Sequence, residues 1–280
     1  MVNAYAAFSA GGELLPYIYE PDALAPDYVD IAVESCGICH SDLSMINDDW
    51  GQSQYPLVPG HEVIGTICAV GENVKHLSLG QRVGLGWHSD YCLSCESCHT
   101  NDHNLCASAQ GTIIGRHGGF ADKVQAHAQS VVPLPTGVDA QSAGPLFCGG
   151  ITVFNPLVQF GIQPMDKVAV IGIGGLGHLA LQFLRAWGCE VTAFTSSDSK
   201  RDEALALGAH HVIHSQDKAA LKSAAHRFDL ILSTVNVSLL WHYYIAALKP
   251  KGRLHFVGAT LEPIDVSVFS LISAQRSISG

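Results

Sequence analysis

"KVAVIGIGGLGHLALQFLRAWGCEVTAFT", Lys167 to Thr195, is the stretch on which the fold turns. "KVAVIG" reads as a short buried strand and "GLGHLALQFLRAWG" as a helix closed by a glycine. "CEVTAFT" is a second strand. Between the first strand and the helix, Gly172, Gly174 and Gly177 stand in G-x-G-x-x-G spacing. In such a turn the first glycine permits the tight bend and the second lets backbone approach a pyrophosphate. The third lets the helix pack closely on the strand. The helix N-terminus offers free N–H groups to the anion. Alone the motif is weak, because a glycine-rich turn can serve packing only. Its context decides.

The same rhythm continues downstream. "SKRDEALALGA" reads as a helix, "HHVIH" as a strand, "KAALKSAAHRF" as a helix and "DLILST" as a strand. "VSLLWHYYIAALKPKG" reads as a helix ended by Pro and Gly, and "RLHFVGA" as a further strand. Strands alternating with helices of about ten to fifteen residues indicate a parallel, doubly wound sheet. Residues 150–280 are therefore expected to form a dinucleotide-binding domain, with Gly172, Gly174, Gly175, Leu176 and Gly177 at the phosphates.

The end of the second strand bears on which dinucleotide. An NAD site places an acid about twenty residues past the glycines, bonded to the ribose 2′-hydroxyl. Here Thr195, Ser196 and Ser197 occupy that turn, and Lys200 and Arg201 follow. Hydroxyls and cations suit a 2′-phosphate, so NADP(H) is expected. Asp198 is the contrary residue, expected to point into solvent or cap the helix. The bland alternative makes Ser197 or Asp198 an N-cap and the two cations a solvated helix face.

Upstream the rhythm differs. "YVDIAVESCG", "VIGTICAVG" and "QRVGLGW" alternate apolar and polar residues between turn formers, so residues 1–149 read as a β-rich domain with long functional loops. The chain of 280 residues can bury real cores in two domains. Its formal net charge of −10 argues against nucleic acid, which needs a basic face. The N-terminus lacks the pattern of a secretory signal. The most apolar stretch, Val168 to Leu184, is too broken by glycines for a membrane span. A cytoplasmic protein is expected.

That compartment bears on the cysteines. "YCLSCESCHTNDHNLC" sets Cys92, Cys95, Cys98 and Cys106 in C-x2-C-x2-C-x7-C spacing. Disulfides, a metal and plain packing all compete for them. A reducing compartment and an odd total of nine cysteines favour metal. Four thiolates fill a tetrahedral shell, so that metal would be structural. A second constellation is Cys39 in "CGICHSD", His61 with Glu62 in "PGHEVIG", and Cys148 in "LFCGGIT". Two thiolates and an imidazole are a ligand set for catalytic zinc with one position open. Spacing alone leaves this second set a guess, because a lone cysteine is more often packing.

Taken in order, "CGICHSD", "PGHEVIG", the four-cysteine loop, "LFCGGIT" and "GIGGLGH" resemble the zinc-dependent medium-chain dehydrogenase/reductase superfamily. Within it, "GICHSDLSMI", "WGQSQYPLV", "AGPLFCGGITVF" and "DLILSTVNVSL" are similar to the cinnamyl-alcohol-dehydrogenase-like branch and to bacterial NADPH-dependent broad-range aldehyde reductases. The resemblance runs from about Tyr5 to the last residue. It implies an α/β chain: a GroES-like catalytic domain followed by a Rossmann domain. It implies two zinc ions per chain, a catalytic one on Cys39, His61 and Cys148 with Glu62 beside it, and a structural one on Cys92, Cys95, Cys98 and Cys106. Asp42 would orient His61, Ser41 would head a proton relay, and His40 would lie near the cofactor pyrophosphate. One position departs: Ser44 stands where many relatives have the relay's outlet histidine.

The implied reaction is hydride transfer between NADPH and an aldehyde/primary alcohol pair. Trp50 and Trp87 would line an apolar pocket, with core packing as the competing reading. Cys36, Cys68 and Cys189 are expected to be small buried hydrophobes. His210, His211 and His214 match no ligand pattern and are expected at the surface or in packing. Two other classes compete: a non-catalytic NADPH-binding redox sensor and an iron–sulfur protein. Relatives continue beyond "RSISG", so the chain is expected to be a fragment of a protein that is a homodimer when complete.

Overall fold

The computed structural model describes residues 1–260 and 262–280. They form two compact units, Met1–Cys148 and Gly149–Gly280. Strands of the first unit are β1 Val2–Ala6, β2 Leu15–Tyr19, β3 Tyr28–Gly37, β4 Glu62–Val70, β5 Arg82–Leu85, β6 His88–Asp90, β7 Gln110–Gly111, β8 Lys123–His127 and β9 Val131–Pro133. Its helices are α1 His40–Asn47 and the single turn α2 Glu96–His99.

β8, β3, β4, β5 and β9 make an antiparallel sheet in that order. Alternation works as the sequence suggests: Val29, Ile31, Val63, Ile67, Val83, Leu85, Val124 and Ala126 face one core. The β3–β4 register ends with Gly37 opposite Glu62. That register brings the "GIC" turn beside "GHE", although about twenty residues separate them. Cys68, by contrast, is exposed. Its neighbour Ile67 points inward, so strand alternation turns Cys68 out, which corrects the expectation that it is buried. The helix α1 is the other departure, since the first half shows little sustained helical period. It forms because Asp42 caps it from within, as described below.

In the second unit the strands are β10 Lys167–Ile171, β11 Glu190–Thr195, β12 His211–His214, β13 Phe228–Ser233, β14 Leu248–Phe256 and β15 Ser277–Ser279. The helices are α3 Gly149–Gln159, α4 Gly175–Trp187, α5 Arg201–Ala206, α6 Lys218–Ser223, α7 Trp241–Ala247 and α8 Val268–Ile272. The sheet is fully parallel in the order β12-β11-β10-β13-β14-β15. Numbered within the unit this is 3-2-1-4-5-6, the doubly wound dinucleotide order, whose topological switch lies between β10 and β13. β10 serves both faces: Val168 and Val170 pack with α3 and α4, Ala169 and Ile171 with α6 and α7. Several boundaries differ from the sequence reading: α6 ends at Ser223, and α7 begins only at Trp241. α7 stops at Ala247, and "LKPKG" opens β14 instead of ending the helix. Those residues form an irregularity in which Phe228 pairs with Leu248 and Leu230 with Arg253. Lys251 there takes a φ of 65°.

The glycines of the β10–α4 turn divide by surroundings. A β-carbon on Gly177 would collide with the Gly172 carbonyl, while one on Gly175 would meet nothing within 4 Å. Gly177→Ala is therefore expected to destabilise the protein by about 1–3 kcal/mol, as overpacking does. Gly175→Ala should stay within about 1 kcal/mol of the natural chain. Thermal or urea unfolding of both variants checks this, and equal stability would refute the packing role of Gly177.

Candidate metal and cofactor sites

The end of β3, the start of α1 and the start of β4 converge on Asp42. Its carboxylate is buried and accepts three N–H groups. One oxygen takes the Cys39 backbone N–H at 2.9 Å. The other takes the Gly60 backbone N–H and His61 Nδ1, each at 2.9 Å. The first bond also closes a capping box at the N-terminus of α1. With Nδ1 committed as donor, His61 turns Nε2 and its lone pair the other way.

Nε2 lies 3.2 Å from Cys148 Sγ, and Cys148 Sγ lies 3.9 Å from Cys39 Sγ. One donor atom each from Cys39, His61, Glu62 and Cys148 falls within 4.8 Å of the others. A tetrahedral zinc with bonds of about 2.3 Å to sulfur sets ligand sulfurs about 3.8 Å apart. The donor spacing fits that shell, and donors of two soft sulfurs and one imidazole suit zinc. Glu62 folds back into space that exists because Gly37 has no side chain: a β-carbon there would collide with Oε2. Nothing local in the sequence marks Gly37; its place opposite Glu62 in the strand register does.

Electrostatics follow the same contacts. Burial is the largest single influence on His61 and works to lower its pKa, but the hydrogen bonds and charges of Asp42 and Cys39 together overcome it and raise the value to about 9. Burial raises Glu62 to about 7, and the neighbouring Cys39 thiolate adds to the shift. Hydrogen bonding from Cys148 holds Cys39 well below the usual thiol range, and the reciprocal contact pushes Cys148 up. A divalent cation at this point would compete with protons for the two sulfurs.

The other cysteine group is local. Cys92, Cys95, Cys98 and Cys106 also bring one sulfur each within 4.8 Å of the rest. Cys106 Sγ is 3.5 Å and Cys98 Sγ 4.0 Å from Cys92 Sγ. Cys98 rides on α2, and the pair β6–β7 closes the base of the loop. Four sulfurs leave no coordination position open, so this group fits a structural metal. All nine cysteines are free thiols, which removes disulfide pairing. Cys189 is buried, as expected.

Other expected residues fall as follows. Trp87 sets its ring edge-on to His61, with centroids 5.0 Å apart, and Trp50 packs edge-on to Trp87 at 6.0 Å. His40 is exposed at the first position of α1, Ser41 is partly exposed, and Ser44 is buried. His210 Nδ1 accepts from Val191 N–H, His211 meets Glu190, and His214 Nδ1 accepts from Gln216 N–H. None of the three belongs to a metal-binding group among the described residues.

The second unit fits a dinucleotide at the switch. Gly172 has a φ of 86°, which favours glycine, and Gly174 and Gly175 face open space. Leu176 and Gly177 follow in the first turn of α4, whose leading N–H groups lack helical partners. From the far side of the turn, Lys200 Nζ donates to the Ile173 carbonyl at 2.8 Å, which fixes a cation over the glycines. Ser197 and Ser199 hydroxyls stand 2.6 Å apart. Thr195 is buried, and its hydroxyl accepts from Ser197 N–H, so it shapes the turn. Ser196 is exposed, and the Asp198 side chain is 96% exposed.

Comparison with known proteins agrees with this arrangement. Residues 25–136 match the alcohol dehydrogenase GroES-like domain, and residues 175–280 match the zinc-binding dehydrogenase family. The aldehyde reductase AdhA of Synechocystis sp. is 60% identical over 279 residues, covering 100% of this chain and 83% of its own. A cinnamyl alcohol dehydrogenase of Sorghum bicolor superposes with a TM-score of 0.96 at 37% identity, over 100% of this chain and 82% of its own. A cinnamyl alcohol dehydrogenase of Helicobacter pylori complexed with NADP(H) superposes with a TM-score of 0.91 at 28% identity, over 99% and 82%.

Two outcomes are expected from the Asp42 cluster. Asp42→Asn leaves an amide facing N–H donors, so zinc affinity at the Cys39–His61–Cys148 site should fall about 10- to 100-fold. Zinc titration of the variant measures this, and unchanged affinity would contradict it. The second concerns pH. The folded His61 value of about 9 exceeds the unfolded value of about 6.5, so its contribution to metal-free stability is full below 6.5 and is lost as pH rises through 9. Zinc must expel that proton. Zinc uptake at neutral pH should therefore release protons into a weak buffer, and less so near pH 9.5.

Proposed function

We propose that this chain, which belongs to the zinc-dependent medium-chain alcohol dehydrogenase family in its cinnamyl-alcohol-dehydrogenase-like branch, reduces aldehydes to primary alcohols with NADPH. It is a zinc-dependent, NAD(P)-linked oxidoreductase acting on the CH–OH group, as its 60% identity with an aldehyde reductase and its two zinc sites indicate. The observation that carries the reading is the convergence of Cys39, His61, Glu62 and Cys148 on one point, with the histidine oriented by Asp42.

When bound, zinc supplies Lewis acidity for a carbonyl oxygen and NADPH supplies the hydride. The residues supply the rest. Cys39, Cys148 and His61 hold the metal, and their two negative charges balance its own. Asp42 keeps His61 in the tautomer that presents Nε2. Glu62, buried and poised near neutrality, places an adaptable oxygen beside the three ligands. Ser41 gives its hydroxyl proton toward the developing alkoxide. With Ser44 buried where relatives carry a histidine, solvent or the cofactor ribose returns that proton. Trp87 and Trp50 form an apolar wall that favours carbonyl compounds with hydrophobic substituents. Gly172, Gly174, Gly175, Leu176 and Gly177 take the pyrophosphate. Ser196, Ser197 and Lys200 take the 2′-phosphate, across the turn that Thr195 shapes. Residues 1–149 thus serve as the catalytic domain and residues 150–280 as the cofactor domain.

Among the described residues no helix is long and apolar enough to cross a membrane. On this reading the enzyme works in the cytoplasm as a homodimer. A panel of short aliphatic and aromatic aldehydes assayed with each cofactor tests it. NADPH should exceed NADH in kcat/KM by at least about tenfold, because one charge-assisted contact is worth about 1.5–3 kcal/mol. Equal efficiency would refute the assignment of Lys200 and the serines. No turnover with any aldehyde by the metal-loaded protein would refute the reaction.

A further inference from the structure

Cys39 and His61 are fixed through Asp42, but Cys148 has no link to that carboxylate. It follows the 3-10 turn Gly144–Phe147, with φ −128° and ψ −83°. What anchors the turn is the residue before the ligand. The Phe147 ring lies over β5 where Gly84 stands, and a β-carbon on Gly84 would fall inside the ring, against Cζ, Cε1 and Cε2. Gly86, two residues along and on the same face, approaches the Phe147 carbonyl so closely that a β-carbon there would also collide. At the other end of the turn, Gly144 sits where a β-carbon would come within 2.7 Å of the Glu62 carbonyl. Glycine weakens a strand interior. Yet Gly84 is paired on both sides, with Ile64 and Val132. A glycine at that position therefore answers to the ring above it.

We propose that Phe147, seated in the notch left by Gly84 in β5 and by Gly86 just beyond it, is a positioning residue that holds the Cys148 thiolate at the catalytic metal. The notch ties Cys148 to the same sheet whose strand β3 leads into the Cys39 turn and whose strand β4 begins just after His61. All three ligands then share one rigid reference. Interiors are close-packed, so a ring displaced by one methyl group carries the adjacent backbone with it. The proposal rests on the reading that Cys39, His61 and Cys148 bind zinc.

The test is zinc binding by the full chain against a competing chelator, with the four-cysteine site as internal control. The natural chain should hold two zinc ions. Gly84→Ala should hold one as tightly as before and the other at least about tenfold more weakly. Phe147→Leu combined with Gly84→Ala, which trims the ring to make room for the methyl group, should recover affinity to within about threefold of the natural chain. Two tight zinc ions in Gly84→Ala would overturn the proposal. So would a double variant no tighter than the single one. Should Gly84→Ala fail to fold, Phe147→Ala leaves the notch empty and must itself lose about tenfold at one site only; undiminished binding overturns the proposal. A natural chain with a single zinc overturns the metal reading and the lock together, and is told apart by appearing before any substitution.

Discussion

The Asp42 carboxylate is the constraint from which the catalytic half takes its form. Its two oxygens accept from Cys39, Gly60 and His61, thereby joining the start of α1 to the loop that enters β4. Hydrogen bonds to a charged group contribute about 1.5–3 kcal/mol each, and leaving three buried donors unmet would cost comparably. The same atom contacts settle a chemical question, because they decide which imidazole nitrogen faces the metal. Folding and ligation are here a single arrangement.

The two metal sites solve different problems. The four-cysteine loop draws all its donors from one short segment, so closing it organises that segment and little else. The catalytic set gathers donors from three distant segments. It works only because the β3–β4 register, the Asp42 cluster and the Phe147 contact each place one of them. A site assembled this way can leave one position for substrate, since the sheet holds the ligands without a fourth sulfur.

Legibility in the sequence followed locality. The β10–α4 turn, the alternating strand of Tyr28–Gly37 and the four-cysteine loop carry their signals within one window, and the structure has them where those signals stand. The end of α7 is not legible in this way: Pro250 and Gly252, ordinary helix stops, sit instead in an irregular strand start. Cys68 belongs to a residue class that is usually buried, whereas strand alternation puts it outside. Gly37, Gly84 and Gly86 could not be assigned from sequence at all. Their meaning depends on what another segment places against them, Glu62 in one case and Phe147 in the others. The catalytic ligand set lay between these extremes: the residue types were visible, but their convergence needed the resemblance and then the fold.

The most direct measurement follows zinc content and NADPH-dependent aldehyde reduction together while a chelator is added to freshly purified protein, with circular dichroism recorded in parallel. The account predicts two zinc ions per chain at the start. One should leave first, taking the activity with it while the secondary structure persists. Activity that survives loss of that zinc, or a starting content of one or none, would contradict the division of roles between the two sites.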